Sequence, residues 1–162
     1  PISYVVAGLI AMSSVPTARS AEHLATQVPS RQATIRNAIK QAAFENGVDV
    51  KLMMALAKVE SNFNPNAKGT LDDVGIFQLR AKYHGAGAST EPLTNARAAA
   101  KYLKWLAQRP ACKAYGRAWY VCFNRGPNAK PLDKPTEFIY YTKVMKVYRP
   151  EVTSATITAK AD

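Results

Sequence analysis

The sequence from residue 49 to residue 79 reads DVKLMMALAKVESNFNPNAKGTLDDVGIFQL, and it predicts one helix followed by a loop-rich segment. Asp49 can cap the helix, because its carboxylate can accept hydrogen bonds from the first unpaired backbone N–H groups. The apolar stripe at helical spacing consists of Leu52, Met53, Leu56, Val59 and Phe63. The helix should end before Pro65, since the residue preceding a proline is disfavoured in the helical region. From Asn64 to Gly87, frequent Gly, Asp and Asn predict loops with a short ribbon or helix.

Glu60 is the residue of this stretch that points most directly to chemistry. It lies four residues after Leu56 and eight after Leu52, on the apolar stripe and in the last turn of the helix. Desolvation and the negative end of the helix dipole both disfavour a carboxylate there, so both raise its pKa. An acid that stays protonated near neutral pH can donate a proton to a leaving oxygen. Periodicity alone leaves an alternative open, in which Glu60 reaches solvent or pairs with Lys58 or Lys68.

Four further helices are predicted outside this stretch, which makes the protein all-α, or mainly α. They begin at Ser30, Thr94, Lys113 and Thr136, and they end near Gly47, Pro110, Asn124 and Tyr148. The predicted helices and the loop-rich centre form one compact domain over residues 31–150. Residues 151–162 are a Thr/Ala-rich tail without periodicity.

Residues 1–30 form a separate N-terminal segment in this interpretation. Pro1 to Ala18 carry no charged side chain, the run from Ile2 to Met12 is apolar, and small residues precede Ala21 as at a signal-peptidase site. The apolar run is short for a membrane span, and no Lys or Arg precedes it. Two interpretations stay open: an export signal or anchor, or an apolar arm packed on the domain or on a partner chain. Residues 22–30 have the composition of a polar linker.

The composition of the 162 residues indicates one globular domain, with 48% hydrophobic and 20% charged residues. The formal net charge is +11, and positions 97 to 130 contain eight basic residues and no acidic one. They are Arg97, Lys101, Lys104, Arg109, Lys113, Arg117, Arg125 and Lys130. This excess favours a polyanionic partner such as nucleic acid, an anionic membrane or bacterial cell wall. The alternative is a solvated face that only confers solubility, and the helical body contains no recognisable nucleic-acid recognition element.

The cysteines and histidines of the sequence argue against metal chemistry. Cys112 and Cys122, ten residues apart, form a disulfide if the protein is exported and are reduced, buried thiols otherwise. Neither they nor His23 and His84 have the spacing of a zinc site, and the sequence has no Gly-rich phosphate loop. Phosphoryl transfer and dinucleotide chemistry are therefore poor candidates.

Five short motifs follow one another along the chain. They are Glu60-Ser61-x-Phe63-x-Pro65-x-Ala67, Gly75-x-x-Gln78, Pro92-x-x-Asn95 leading to Tyr102-Leu103, Phe123-Asn124-Arg125-Gly126-Pro127, and Tyr140 with Val144 and Tyr148. Together they resemble the lytic transglycosylases of the soluble lytic transglycosylase and goose-type lysozyme-like superfamily, over residues 31 to 149. The resemblance implies an all-α, lysozyme-like fold with a substrate cleft, peptidoglycan glycan strands as substrate, and no metal or cofactor.

The same resemblance implies roles for the residues of the first two motifs. Glu60 would be the single catalytic acid and base. Ser61 would orient Glu60 or hydrogen-bond near the reacting sugar, and Gly75 would let the backbone approach the glycan. Gln78 would exchange hydrogen bonds with acetamido or hydroxyl groups of the substrate.

The last two motifs supply the remaining implied site residues and two departures from the family pattern. Asn124 would hydrogen-bond the substrate as Gln78 does. Tyr140 would support Glu60 or position the substrate, and Tyr141 would replace it if the helix register is off by one. Phe123 stands where the family has Tyr, which removes a hydroxyl. Arg125 replaces a small residue and could reach into the cleft or bind a stem-peptide carboxylate.

The mechanism implied by the resemblance needs one carboxyl group. Ordinary glycosidases use two, whereas here no second acid belongs to the motifs, and Asp72 and Asp73 are expected to cap or turn a polar loop. Glu60 would protonate the bond between N-acetylmuramic acid and N-acetylglucosamine, and the muramyl C6 hydroxyl would close a 1,6-anhydro ring.

Two other functions and several settings stay open. The protein could be a hydrolytic muramidase that uses a water held by Gln78 or by an Asp, or a wall-binding or assembly protein with a vestigial site. The expected location is the periplasm or the cell envelope after export, with a phage virion as the alternative. Residues 1–20 could then contact a membrane, the envelope or a virion.

Overall fold

The structure is a computed structural model, and it describes residues 29–130 and 139–148. These residues contain seven α-helices and a two-stranded ribbon. The helices are α1 (Arg31–Asn46), α2 (Val50–Ser61), α3 (Ala81–His84), α4 (Pro92–Leu106), α5 (Pro110–Lys113), α6 (Cys122–Arg125) and α7 (Ile139–Met145). The ribbon joins β1 (Asp73–Val74) to β2 (Leu79–Arg80), and 3-10 turns cover Gly85–Gly87 and Gly116–Val121. The predictions for the N-terminal segment, for the cap at Thr136 and for the tail lie outside the described residues.

Helices α1 and α2 confirm the predictions made from their apolar stripes. Asp49 caps α2 by accepting hydrogen bonds from the backbone N–H of Lys51 at 2.7 Å and of Leu52 at 3.4 Å. The helix ends at Ser61, and its C-cap Asn62 adopts the left-handed conformation with φ of 54°. Phe63 follows with φ of 62° and is buried, so the chain turns back into the core before Pro65.

Helix α4 begins two residues before the predicted cap at Thr94. Glu91 caps the helix instead, and its carboxylate accepts from the backbone N–H groups of Leu93 and Thr94. Pro92 occupies the first turn, where its missing N–H costs no helical hydrogen bond. The prediction of a cap at Thr94 was therefore wrong, although the helix itself was correctly predicted.

The predicted helix from Lys113 to Asn124 is three short pieces instead of one. Gly116 adopts a positive φ of 57°, which a right-handed helix does not contain, and it separates α5 from the 3-10 turn and α6. Gly126, with φ of 87°, caps α6, which ends at Arg125, one residue after the predicted end near Asn124. Helix α7 ends at Met145, three residues before the predicted end at Tyr148.

The core lies where α1 packs along α4, with α2 between them and α7. Small side chains at this contact let the two backbones come close, and the fully buried ones include Ala42, Ala43, Ala96, Ala99 and Ala100. Larger apolar side chains such as Met53, Leu56 and Leu103 fill the remaining space. The described part of the chain is thus mainly helical, as predicted, and none of its helices has the length and apolarity to cross a membrane.

Asn95 on α4 is a fully buried polar side chain that fixes the loops beside the ribbon. Its Oδ1 accepts from the backbone N–H of Phe77 at 2.8 Å. Its Nδ2 donates to the carbonyls of Val74 at 3.2 Å and of Gly87 at 3.0 Å. Gly75 packs directly against this amide with φ of 84°, and a Cβ on it would lie 2.8 Å from Asn95 Cγ. One side chain therefore holds both the β1–β2 turn and the 3-10 turn after α3.

Cys112 and Cys122 are joined in a disulfide, with their Cα atoms 5.9 Å apart. Both cysteines are fully buried. Of the two alternatives that the sequence left open, the structure has the oxidised one. The bond ties α5 to the first residue of α6 across the irregular segment that replaces the predicted fourth helix.

We predict that Asn95→Asp destabilises the protein by about 2–4 kcal/mol at pH 7, because two buried carbonyls lose their donor and a carboxylate is buried in place of the amide. Urea-induced unfolding measures the change. Asn37→Asp is the matched control, since Asn37 is exposed on α1, and it should shift the free energy of unfolding by less than about 0.5 kcal/mol. Equal effects of the two substitutions would contradict the role assigned to Asn95.

Candidate active site

A cleft of about 860 Å³ opens between the ribbon, α4 and α6, within the size range of ligand sites in proteins. Glu60 at the end of α2 lines it together with Asp73, Gln78, Leu79 and Arg80 of the ribbon region. Helices α3 and α4 contribute Tyr83, His84, Ala98, Lys101, Tyr102 and Trp105. The third side is the segment Phe123, Asn124, Arg125, Gly126 and Pro127. The cleft therefore combines two acidic side chains, Glu60 and Asp73, with aromatic and basic walls.

Tyr140 on α7 holds the carboxyl group of Glu60. The Tyr140 hydroxyl donates to Glu60 Oε1 at 2.6 Å, across 80 residues of sequence. Tyr140 is buried, so this contact is made in a water-poor environment. Glu60 Oε2 accepts no hydrogen bond from the described residues. The second carboxyl oxygen is thus left for a ligand in the cleft.

Burial raises the pKa of Glu60 from 4.5 to about 6. Desolvation is the largest cause, because an ion loses hydration there that a neutral acid does not need. The negative charge of Asp73 adds to the rise, whereas the Tyr140 hydrogen bond and the charge of Lys143 lower the pKa. The carboxyl group therefore exchanges its proton close to neutral pH, as the position of Glu60 on the apolar stripe predicted.

Three of the six predicted site residues line the cleft: Glu60, Gln78 and Asn124. Gln78 adopts a positive φ of 48° at the end of the ribbon turn. Its Nε2 donates to the carbonyls of Gly75 at 2.9 Å and of Ala67 at 3.2 Å, while its Oε1 accepts from no described residue. Asn124 is exposed on α6. The Gln78 amide is thus held by two backbone carbonyls, whereas the Asn124 amide is exposed to solvent.

The other three predicted residues, Ser61, Gly75 and Tyr140, lie behind the cleft lining. The Ser61 hydroxyl donates to the carbonyl of Ile76 at 2.8 Å and accepts from the backbone N–H of Asn64 at 3.1 Å. No described contact joins it to Glu60. A Cβ on Gly75 would lie 2.3 Å from the Ser89 carbonyl oxygen, so its missing side chain makes room for protein atoms. Ser61 and Gly75 support the ribbon turn that presents Gln78.

The expected loop acid Asp73 lies inside the cleft, which the sequence motifs did not reveal. It stands opposite Arg80 in the antiparallel ribbon, and Arg80 Nε donates to Asp73 Oδ1 at 2.6 Å. Residues that face each other across a ribbon can pair in this way. The opposite charges seven positions apart, flanking a turn, were the signal in the sequence that could have predicted this pair.

The structure also shows where Phe123 and Arg125 lie, the two residues at which the chain departs from the pattern of the motifs. Phe123 and Arg125 both line the cleft. The Phe123 ring packs against Phe77, with centroids 6.4 Å apart, and against Tyr102 at 5.6 Å. Tyr141, the alternative to Tyr140, stacks on Tyr120 instead. The register of α7 thus places Tyr140, and not Tyr141, against Glu60.

Comparison with known protein families agrees with this architecture. The family model described as Transglycosylase SLT domain matches residues 37–134. This range contains the residues that line the cleft, and it ends before Tyr140. No solved structure matches the chain significantly. The family match confirms the resemblance found in the motifs and, with the helical structure, the predicted all-α, lysozyme-like fold.

We predict that Tyr140→Phe raises the pKa of Glu60 further, because the lost hydrogen bond favours the ionised carboxylate. A titration of ¹³C-labelled glutamate side chains by NMR measures this pKa, and the spectrum of Glu60→Gln assigns the signal. Tyr141→Phe is the matched control and should leave the titration of Glu60 in place. An unchanged titration in Tyr140→Phe would contradict the hydrogen bond.

We predict that Glu60→Gln stabilises the fold at pH 8 but not at pH 4. The folded pKa of Glu60, about 6, lies above the unfolded value of 4.5. The stability that this group contributes is therefore fully present below pH 4.5 and is lost as the pH rises through 6. Gln carries no such loss, and the gain should be about 2 kcal/mol in unfolding free energy at pH 8.

Glu45→Gln provides the control of opposite sign. The pKa of Glu45 is lowered to about 2, chiefly by hydrogen bonds from Arg97, so its removal should cost a little stability at pH 8 and less as the pH falls toward 2. A Glu60→Gln variant that loses stability at pH 8 would contradict a buried, poorly solvated carboxylate.

Proposed function

The chain belongs to the transglycosylase SLT-domain family, and on that premise we propose that it is a peptidoglycan lytic transglycosylase. Its reaction cleaves the β-1,4 bond between N-acetylmuramic acid and N-acetylglucosamine and forms 1,6-anhydro-N-acetylmuramic acid. The observation that carries the proposal is the carboxyl group of Glu60, which lines the cleft, receives the Tyr140 hydroxyl at 2.6 Å and has a pKa of about 6.

Glu60 serves as acid and then as base in the proposed reaction. The protonated carboxyl group gives its proton to the glycosidic oxygen as the bond from that oxygen to muramyl C1 breaks. The resulting carboxylate accepts the proton of the muramyl C6 hydroxyl while the C6 oxygen bonds to C1. One proton enters and one leaves the substrate, so no water is consumed and Glu60 is regenerated.

Tyr140 acts as a positioning residue in this scheme. Its hydroxyl holds Oε1 at 2.6 Å, which fixes the carboxyl group and leaves Oε2 for the proton transfers. The hydrogen bond also stabilises the carboxylate that forms midway, against the desolvation that favours the acid. The two effects keep both protonation states accessible, as a group with both roles requires.

Gln78 and Asn124 are the proposed substrate contacts. Because the amide N–H groups of Gln78 are used by the carbonyls of Ala67 and Gly75, its Oε1 is left to accept from a sugar N–H or O–H group. Asn124 is exposed on the facing segment and can both donate and accept. Ser61 and Gly75 contribute by holding the turn that carries Gln78.

The proposed substrate indicates where the protein acts. Peptidoglycan lies outside the cytoplasmic membrane, so we expect the protein to act after export in the periplasm or envelope, or as part of a phage virion. A disulfide such as Cys112–Cys122 suits an oxidising compartment. Contact of residues 1–20 with a membrane, the envelope or a virion belongs to this proposal and involves residues outside the described ranges.

Asp73 makes hydrolysis the second candidate. It lines the same cleft as Glu60, and its negative charge contributes to the raised pKa of that residue. In a hydrolytic muramidase Asp73 would position a water for attack on C1. Its hydrogen bond from Arg80 at 2.6 Å already occupies one carboxylate oxygen, and for this reason we favour the single-carboxyl reaction.

We predict that Glu60→Gln lowers the release of soluble muropeptides from purified cell walls by about 10³-fold or more, since one group is lost from two proton transfers. Glu45→Gln, an exposed change on α1, should retain the activity of the unaltered protein. Undiminished release by Glu60→Gln would contradict the proposed site, and no release by the unaltered protein would contradict the enzyme.

A further inference from the structure

One face of α4 brings to the cleft a set of side chains that the proposed reaction does not use. Ala98, Lys101, Tyr102 and Trp105 lie on one side of the helix, because residues three and four apart are neighbours there. All four line the cleft. Lys104, on the same helix, is exposed but does not line it.

The two aromatic residues of this face differ in how much of each ring is accessible to a ligand. Tyr102 is enclosed by three rings: Trp105 stacks on it with centroids 5.8 Å apart, Phe123 lies at 5.6 Å and His84 meets it edge-on at 4.8 Å. Trp105 keeps 43% of its surface exposed. Its indole N–H donates to none of the described residues. The exposed part of this indole offers apolar surface and a hydrogen-bond donor to one ligand in the cleft.

Two basic residues, Lys101 and Arg109, flank Trp105 in the sequence. The Arg109 guanidinium lies 4.8 Å from the centre of its ring, and Lys101 is one helical turn before it. The charge of Lys101 also lowers the pKa of Glu45, but Arg97 already donates two hydrogen bonds of 2.7 Å to that carboxylate. Neither Lys101 nor Arg109 forms an ion pair with an acidic residue of the described ranges.

We propose that Lys101 and Trp105 form a subsite for a carboxylate-bearing muramyl unit of the glycan strand. Trp105 contacts the sugar with its exposed surface, Lys101 binds the carboxylate, and Arg109, whose guanidinium lies over the indole ring, adds positive charge. The inference rests on the proposed function for the identity of the polymer. The carboxylate has two sources: the lactyl group of a muramyl sugar without peptide, and the stem peptide of a substituted one, in which the lactyl group is an amide.

Binding of three soluble probes of equal sugar number tests the subsite. They are a peptide-bearing muramyl tetrasaccharide, the same tetrasaccharide stripped of peptide, and chitotetraose, which has no carboxylate. The full chain carrying Glu60→Gln is titrated by calorimetry, so that binding is measured without turnover. Adding Lys101→Gln should weaken one carboxylate probe about 3–10-fold and chitotetraose by less than about 2-fold. Loss on the peptide-bearing probe identifies the stem peptide, and loss on the stripped probe identifies the lactyl group.

Two further variants serve as controls in the same titrations. Lys104→Gln removes the same charge from the same helix outside the cleft, and it should change every affinity by less than about 2-fold. Trp105→Ala should weaken all three probes, because the sugar contact does not depend on the carboxylate. Thermal unfolding of each variant establishes that the fold persists.

The proposal is overturned if Lys101→Gln weakens chitotetraose as much as the carboxylate probes, or if it weakens neither carboxylate probe. Cleavage of cell walls by the unaltered protein, measured in parallel, separates this result from a failure of the proposed function. Binding that depends on Lys101 without any cleavage supports the subsite and contradicts the enzyme. Cleavage with affinities indifferent to Lys101 supports the enzyme and contradicts the subsite.

Discussion

The buried amide of Asn95 is the constraint on which the cleft depends. Three backbone groups from two separate turns, those of Val74, Phe77 and Gly87, have this side chain as a hydrogen-bond partner. A buried polar group without a partner is costly, so the two turns and α4 hold each other in one arrangement. Ser61 adds a fourth tie, from the end of α2 to the carbonyl of Ile76. The acid on α2 and the amide of Gln78 are therefore positioned by the same small set of hydrogen bonds.

The chemistry of the site follows from two opposed effects on one carboxyl group. Burial favours the neutral acid, and the Tyr140 hydroxyl favours the carboxylate. Their balance gives a pKa of about 6 for Glu60. A more buried acid without Tyr140 would hold its proton too tightly to act as a base afterwards, and an exposed one would be ionised before it could act as an acid. The partnership with α7 is thus part of what the proposed reaction needs.

The sequence predicted those features that depend on local physics. Helix α2, its Asp49 cap and the position of Glu60 follow from periodicity and capping, and the structure agrees with all three.

Features that depend on tertiary contacts were missed or misjudged. The inward position of Asp73 follows from ribbon register, and Gly75 is small because Ser89 and Asn95 pack against it. Gly116 breaks a helix that its apolar neighbours predict, since one positive φ outweighs a periodic pattern. The choice between Tyr140 and Tyr141 depends on helix register, which periodicity leaves uncertain by one residue.

In the proposed reaction a single carboxyl group, without a second acid, accounts for bond cleavage. Digestion of purified cell walls in ¹⁸O-labelled water tests it most directly, with mass spectrometry of the released muropeptides. We expect products that end in 1,6-anhydro-N-acetylmuramic acid, lighter by one water than hydrolysis products and free of ¹⁸O at the new end. Reducing ends that carry ¹⁸O as the main product would contradict it and would make Asp73 the second catalytic carboxylate to examine.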